Sequence, residues 1–332
     1  MCDVTQAVFY LPGVSPRDFE VNDPIDVMVN KIDSVRTQLP YRYYALNFCR
    51  PDKIRNKEEN LGETLAGDDI ETAPVRFRMF EDQRCAEICT MKNSEKDLKK
   101  FRKMVDEEYR SQWIVDNLPV GQRVYYEDEV TGEEEFVFKR GFPIGVFSYD
   151  IDRTTKFESS AENIPKNARN VRPLIFNHLS FKILYHSEDP SPDMARIVGF
   201  EVIPNSVHHK RGRNGALSTC TASGDLIENY RFQDLTDKYG KEIVYTYDVT
   251  FERSDTLWSS RWDIYLKQGN NEVHWISIIN STLLVLFLSG MVAMIMIRTL
   301  YKDIKYYNAI YEKLSMVEKG GDDLEDALEE TG

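Results

Sequence analysis

The side chains of this chain best equipped for chemistry are its cysteines and histidines. Cys85 and Cys89 form a Cys-x-x-x-Cys pair, with Cys49 upstream and Cys220 far downstream. Thiolates so placed either ligate a soft metal or oxidise to disulfides. The metal reading finds no histidine close in sequence to complete it, His178 being the nearest. Disulfides are therefore expected, with three possible pairings among the four residues and Cys2 left over. The expected pair is Cys85 with Cys89 across one helical turn; the alternative gives each its own partner. His208 and His209 with Cys220 have the ligand types of a copper or zinc site. They run straight into Lys210, Arg211 and Arg213, a pattern that favours an exposed basic loop. The carboxylates Glu127, Asp128, Glu129, Glu133, Glu134 and Glu135 lack the ordered spacing of a calcium loop and read as the solvated tip of a hairpin. No Gly-x-Ser-x-Gly, His-Glu-x-x-His or phosphate loop occurs. The expected chemistry is covalent cross-linking, without enzyme activity, metal or cofactor.

The elements that must position these residues are set by one stretch. Trp275 to Ile297 contains no Asp, Glu, Lys or Arg. As a helix it extends about 34 Å, enough to cross a hydrocarbon core of about 30 Å. Arg298, Lys302 and Lys305 follow it closely and only Lys267 stands near its start, so residues 298–332 are expected in the cytoplasm and residues 1–274 in a lumen or outside the cell. Trp275 and Arg298 mark the two interfaces. Asn280, Ser281, Thr282, Ser289 and Gly290 interrupt the apolar run and predict a helix that packs against other helices. The alternative is that Ser and Thr bond back to their own helix. Trp258, Arg261 and Trp262 just before the span are expected at the membrane interface, with Arg261 meeting phosphates, or else packing the preceding domain downward. Tyr301, Tyr307 and Tyr311 each begin a tyrosine-x-x-apolar tetrapeptide of the kind sorting adaptors read, a spacing that a continuing helix also produces. Residues 320–332 are acidic and expected to be disordered.

Before the span, the period of the apolar residues is mostly two. Val75 to Phe80, Phe181 to His186, Ile197 to Ile203 and Ile243 to Phe251 alternate as half-buried strands do. Val124–Tyr126 and Phe136–Phe138 flank Thr131-Gly132 as a hairpin. One amphipathic helix is expected over 94–113, with Leu98, Phe101, Val105 and Tyr109 on one face and Ser94 and Asp97 as a capping box. The fold class is thus mainly β (α+β). Domain bounds of 1–270, with a sub-boundary near 115–145, then 275–297 and 298–332, follow. Forty-two Lys plus Arg against fifty-five Asp plus Glu give a net charge of −13, which argues against nucleic acid as a partner. The start MCDVTQAVFYLPGV has too short an apolar run for a secretory signal, so an incomplete N-terminus is expected.

These segments together resemble a known family. FYLPGV at 9–14, QLPYRYYALNFCRP at 38–51, NLGETLAGD at 60–68, CAEIC at 85–89 and VDNLPVG at 115–121 match it in order. So do GFPIG at 141–145, NHLSFKILYH at 177–186, RIVGFEVIP at 196–204, YDVTF at 247–251, WSSRWDIYL at 258–266 and the span from 274 to 304. The chain is identified as a member of the nonaspanins, the transmembrane 9 superfamily or endomembrane protein 70 family. The resemblance implies a cleaved signal, a lumenal β-rich domain, nine membrane helices and a short cytoplasmic end with a Golgi retention signal. It also implies a non-enzymatic protein of Golgi and endosomal membranes that sorts or surface-localises other membrane proteins, with effects on adhesion and phagocytosis. The implied partners are the bilayer and other transmembrane helices, either cargo with glycine-containing spans or the eight further helices of a full-length relative. The sequence given lacks the signal and carries the first helix only, so a truncated form is expected. The alternative function is a component of a transporter or metal-homeostasis system, which requires ionisable groups within the membrane. Residues 275–297 contain none.

Overall fold

The computed structural model describes residues 15–329 except 38, 58–66, 128–133, 152–153, 189–192, 213–214, 222–224, 228–229, 237–238 and 267–274. The chain forms two compact units, Met1–Glu272 and Val273–Gly332. The first is built mainly of strands. In chain order its longer elements are β1 (Val27–Asp33), β2 (Gln83–Lys92), α1 (Glu95–Asp106), β3 (Arg110–Val115), β4 (Gly121–Glu127) and β5 (Glu134–Arg140). There follow β6 (Gly145–Ile151), β7 (Thr154–Glu158), β8 (Arg169–Ile175), β9 (His178–His186), β10 (Met194–Asn205) and β11 (Glu242–Arg253).

The largest sheet runs β5-β4-β10-β9-β11-β2, with Phe19–Glu20 pairing the start of β10 as its seventh strand. Most pairs are antiparallel, but β9 and β11 run parallel, in the register His178↔Thr246 and Ser180↔Asp248. That pairing places alternate residues of both strands on one face. Strands from either side of residues 115–145 share this sheet, so those residues do not separate two domains. The hairpin expected at 124–138 is β4 against β5, with Tyr125 opposite Phe136; the Thr131-Gly132 turn lies outside the described residues. A second sheet contains β3 and β1, and a third runs β7-β6-β8.

Leu179, Phe181 and Ile183 on the other face of β9 enter the core, where aromatic side chains bridge the layers. Phe181 lies 5.3 Å from Trp113 of β3 and 5.4 Å from Phe77, and Phe48 meets Phe101 of α1 at 5.3 Å between centroids. Such edge and tilted contacts each add about 0.5–1.5 kcal/mol beyond area burial. Val75, Phe77 and Met79 are buried while Arg76 and Arg78 are exposed, as alternation predicts, though only Phe77–Arg78 pairs as a strand.

The capping box forms: Ser94 Oγ accepts from the Asp97 backbone and Asp97 accepts from the Ser94 backbone. Leu98, Phe101, Met104 and Val105 are buried along α1. The helix stops at Asp106 and does not reach 113. Glu108 has a φ of 55°, a left-handed turn that ends it, and Arg110–Val115 then alternates as a strand. The period changes within the expected helix, and Tyr109 is buried from outside it. At the start of β6, Gly145 lies so close to its neighbours that a Cβ there would sit 2.0 Å from the Leu174 carbonyl oxygen and 2.7 Å from Val105. A side chain would have to force β8 and α1 away, which accounts for the glycine in GFPIG.

The second unit is a single helix, α2 (Trp275–Glu329). It continues through residues 320–329, which are helical where disorder was expected; residues 330–332 lie outside the described residues. Ile278–Glu312 is long and apolar enough to cross a membrane, and none of its most apolar window is buried within the protein.

Candidate functional site

Two disulfides brace the β domain, and neither joins Cys85 to Cys89. Cys49 pairs with Cys89, with Cα atoms 5.9 Å apart, and Cys85 pairs with Cys220 at 6.3 Å. The expected pairing presumed a helical turn. Residues 85–89 lie instead in β2, where four residues of extended chain separate their Cα atoms by roughly 13 Å. Each cysteine therefore reaches across to a different element, the alternative the spacing left open. Cys2 lies outside the described residues.

The Cys85 bridge stands beside a polar cluster that the sheet register assembles. In β9, His178 and Ser180 share one face; in β11, Thr246 and Asp248 share the same face and sit opposite them. Residues 206–212 and 215–220 fold over this face. Asn177 holds them there, donating to the Val207 and Val244 carbonyls at 2.8 and 2.7 Å and accepting from the Val207 backbone at 2.8 Å. That brings His209 and Thr219 onto the cluster. Both are buried, and His178 is completely so. The reading of His208 and His209 as an exposed basic loop thus fails for His209, because an intra-domain asparagine pins the loop inward.

Contacts run through the cluster without a gap. His178 Nε2 lies 2.9 Å from Asp248 Oδ2 and its Nδ1 lies 2.7 Å from Thr246 Oγ1. Thr246 Oγ1 is 2.8 Å from His209 Nε2, whose Nδ1 is 2.6 Å from Thr219 Oγ1. Asp248 also accepts from the Ser180 hydroxyl at 3.0 Å and from the Cys85 backbone N–H at 2.6 Å. The left-handed Cys85, with φ of 47°, falls where the β2–β11 register shifts, and this bulge turns its N–H toward the carboxylate. Burial works against charge on Asp248, yet the hydrogen bonds from His178, Cys85 and Ser180 and the His178 ring outweigh it and hold its pKa below the usual carboxylate value. His209 is pushed down to about 4, first by burial and then by repulsion from His178.

The residue types are those of a Ser-His-Asp triad, but the geometry is not. Ser180 and Asp248 both approach the same ring nitrogen, Nε2, at 3.3 and 2.9 Å, and Thr246 occupies Nδ1. A triad needs nucleophile and acid on opposite nitrogens. No group of three or more His, Cys, Asp or Glu suited to a metal occurs among the described residues. Sequence reading missed His178, Ser180, Thr246 and Asp248 as a group. Their alternation was visible, but only the strand register puts residues 68 positions apart in contact.

The residues expected at the membrane interface divide. Arg261 is buried in the β domain, at 3% exposure, and does not face phosphates. Its Nη1 donates to Asp116 at 2.7 Å and to the Ile197 carbonyl at 3.1 Å, and its guanidinium lies 4.6 Å over the Trp258 ring. A sequence run of Arg among Trp does not distinguish a phosphate from a buried carboxylate as partner. Trp262 is exposed, with its ring 5.3 Å from Tyr265. Arg298 and Lys302 are exposed on α2, and Trp275 begins that helix. Asn280, Ser281, Thr282, Ser289 and Gly290 are all exposed on the helix but do not share one face. At about 100° per residue, Thr282 and Ser289 fall within about 20° of each other, whereas Gly290 lies about 80° from both Asn280 and Thr282. Thr282 bonds back to the Ile278 carbonyl at 2.8 Å, as the alternative reading allowed.

A disulfide-braced β domain and, among the described residues, one helix long and apolar enough to cross a bilayer fit a membrane protein with a large folded domain. The chain belongs to the endomembrane protein 70 family, whose sequence model matches residues 40–332, and so to the transmembrane 9 superfamily. It is 43% identical to transmembrane 9 superfamily member 9 of Arabidopsis thaliana over 330 residues, 98% of this chain and 47% of that protein. It is 36% identical to human member 4 over 345 residues, all of this chain and 48% of the relative. A Dictyostelium discoideum protein named as a candidate phagocytic receptor, 1a, is 37% identical over 91% of this chain and 45% of its own length. The chain thus spans about half the length of the curated relatives it matches. No solved structure matches it.

Proposed function

We propose that this chain belongs to a non-enzymatic protein of Golgi and endosomal membranes that assists the sorting and membrane localisation of other transmembrane proteins. The observation that carries this reading is α2: an apolar helix long enough to cross a membrane, interrupted by the polar Asn280 and the small Gly290. In lipid, apolar side chains gain nothing by leaving acyl chains for protein, so helix association rests on close packing and interhelical hydrogen bonds. Its partners in this reading are the bilayer and other membrane helices, including cargo with glycine-containing spans. The phagocytic name of one relative fits a role in placing surface receptors.

Replacing Asn280 and Gly290 by leucine in the full-length protein removes the amide and the close approach while keeping the span apolar. Co-purification of membrane cargo should fall several-fold, since each interhelical hydrogen bond is worth about 0.6–2 kcal/mol. Unchanged recovery would make α2 an anchor only and move recognition to the β domain. The same reading places the β domain in the lumen and residues 298–332 in the cytosol. A glycosylation sequon introduced near residue 212 should be modified in intact microsomes and protected there from added protease; an unmodified, digested product would reverse the topology.

A further inference from the structure

The cluster of His178, Thr246, His209 and Thr219 has a hydrogen-bond direction that Asp248 dictates. An ionised carboxylate only accepts, so His178 Nε2 must carry the proton that meets Asp248 Oδ2. With His178 neutral, its Nδ1 is an acceptor and takes the Thr246 hydroxyl proton. That hydroxyl has one proton to give, so His209 Nε2 must donate to Thr246 Oγ1. His209 Nδ1 is then the acceptor for the Thr219 hydroxyl. Every donor points from Thr219 toward Asp248. Two ring tautomers and two hydroxyl rotors are set by one charge.

We propose that this chain of hydrogen bonds is a proton-binding site that reverses as a unit when the protein takes up a single proton. The proton arrives at His209 Nδ1; the His209 Nε2 proton passes to Thr246 Oγ1; the Thr246 hydroxyl proton passes to His178 Nδ1. Three N–H or O–H bonds form, two break, and the net change is one added proton. His178 becomes an imidazolium against the Asp248 carboxylate, and His209 remains neutral with its proton moved from Nε2 to Nδ1. Thr219 Oγ1, formerly the donor to His209, becomes its acceptor and must turn its own proton elsewhere. The contact of residues 206–212 with β11, between His209 and Thr246, is kept with its direction reversed.

The carboxylate contact selects His178 as the ring that takes the charge. Its ring faces Asp248 and Ser180 from β11 and β9. His209 faces Thr219 and His208 from its own segment and Glu87 from β2, but Glu87 is already paired with Arg211. Burial and the neighbouring His178 oppose a charge on His209. The inference rests on side-chain geometry and not on the sorting role, so the two fail independently.

The test is tautomer-resolved NMR of the full chain with 15N,13C-labelled histidine in detergent micelles, between pH 7.5 and 4.5. At pH 7.5 both rings should be Nε2–H tautomers. As His178 becomes imidazolium, His209 should switch to the Nδ1–H tautomer at the same midpoint. Thr246→Val cuts the relay, so His209 should keep its Nε2–H tautomer while His178 titrates; Thr246→Ser should restore the coupling. His209 becoming the first imidazolium, or a tautomer switch that persists in Thr246→Val, would overturn the proposal. A Thr246→Val chain that fails to fold leaves the wild-type and Thr246→Ser midpoints to decide it, because unequal His178 and His209 midpoints there refute the coupling.

Discussion

Replacing Arg261 by alanine should destabilise the β domain by about 3–5 kcal/mol, the scale of a buried ion pair broken on one side. The guanidinium is enclosed between Asp116, the Ile197 carbonyl and the Trp258 ring. Without it the Asp116 carboxylate, itself nearly buried, loses the guanidinium that pairs with it. Burial already raises the Asp116 pKa despite the pull of Arg261, so alone it should rise further. The sign follows. A carboxyl whose folded pKa exceeds its unfolded value binds more protons when folded, so it costs stability as pH rises through that range. The loss in Arg261→Ala should therefore be greatest near neutral pH and shrink toward pH 5. Urea unfolding followed by tryptophan fluorescence at pH 7.5 and 5 measures both. Arg261→Met with Asp116→Asn should recover part of the loss, because it removes the orphaned carboxylate and keeps a residue that tolerates the left-handed backbone at 116, with φ of 46°. A loss below 1 kcal/mol for the single change at pH 7.5 would show that water reaches Asp116 and that the pair is a surface contact.

Arg261 also marks where the sequence was legible and where it was not. Local signals largely survived: the Ser94–Asp97 box caps α1, and the alternating stretches 181–186, 197–203 and 243–251 belong to β9, β10 and β11, although 197–202 and 243–247 are buried on both faces rather than one. These depend on hydrogen bonds within four residues or on side-chain period two. What failed depended on partners distant in the chain. Arg261 takes Asp116 from 145 positions away, His209 takes Thr246 from 37, and Cys85 takes Cys220 from 135. The error at 107–113 is of another kind. Tyr109 and Trp113 keep the helical spacing of Leu98, Phe101 and Val105 by coincidence, and the left-handed Glu108 between them has no glycine or proline to announce it. The unexpected site is the sum of these effects: two strands whose register, one loop whose anchor and one bulge whose backbone are all nonlocal.

The disulfides carry the other large expected effect. A bridge restricts the unfolded chain, and the restriction grows with the length of the loop it closes. Cys49–Cys89 closes a separation of 40 residues and Cys85–Cys220 one of 135, which the chain-entropy relation converts to about 4 and about 5 kcal/mol. A bridge between Cys85 and Cys89 would have closed so short a loop that about 2 kcal/mol was its ceiling. The two pairings therefore differ in energy as well as in connectivity. Cys85→Ala with Cys220→Ala should lower the unfolding free energy by about 4–5 kcal/mol, and Cys49→Ala with Cys89→Ala by nearly as much, in oxidised protein with the other bridge intact. Denaturant midpoints of the full chain give these values, and peptide mapping without reduction gives the links. The Cys49 bridge has one sulfur in the core, at 3% exposure, while the Cys85 bridge lines a surface pocket of about 530 Å³ with Arg84, Glu87 and Ser218. Mild reductant should accordingly open Cys85–Cys220 first. Recovery of a peptide joining Cys85 to Cys89 would contradict the strand assignment of 83–92 itself, since an extended segment holds those two side chains too far apart to meet.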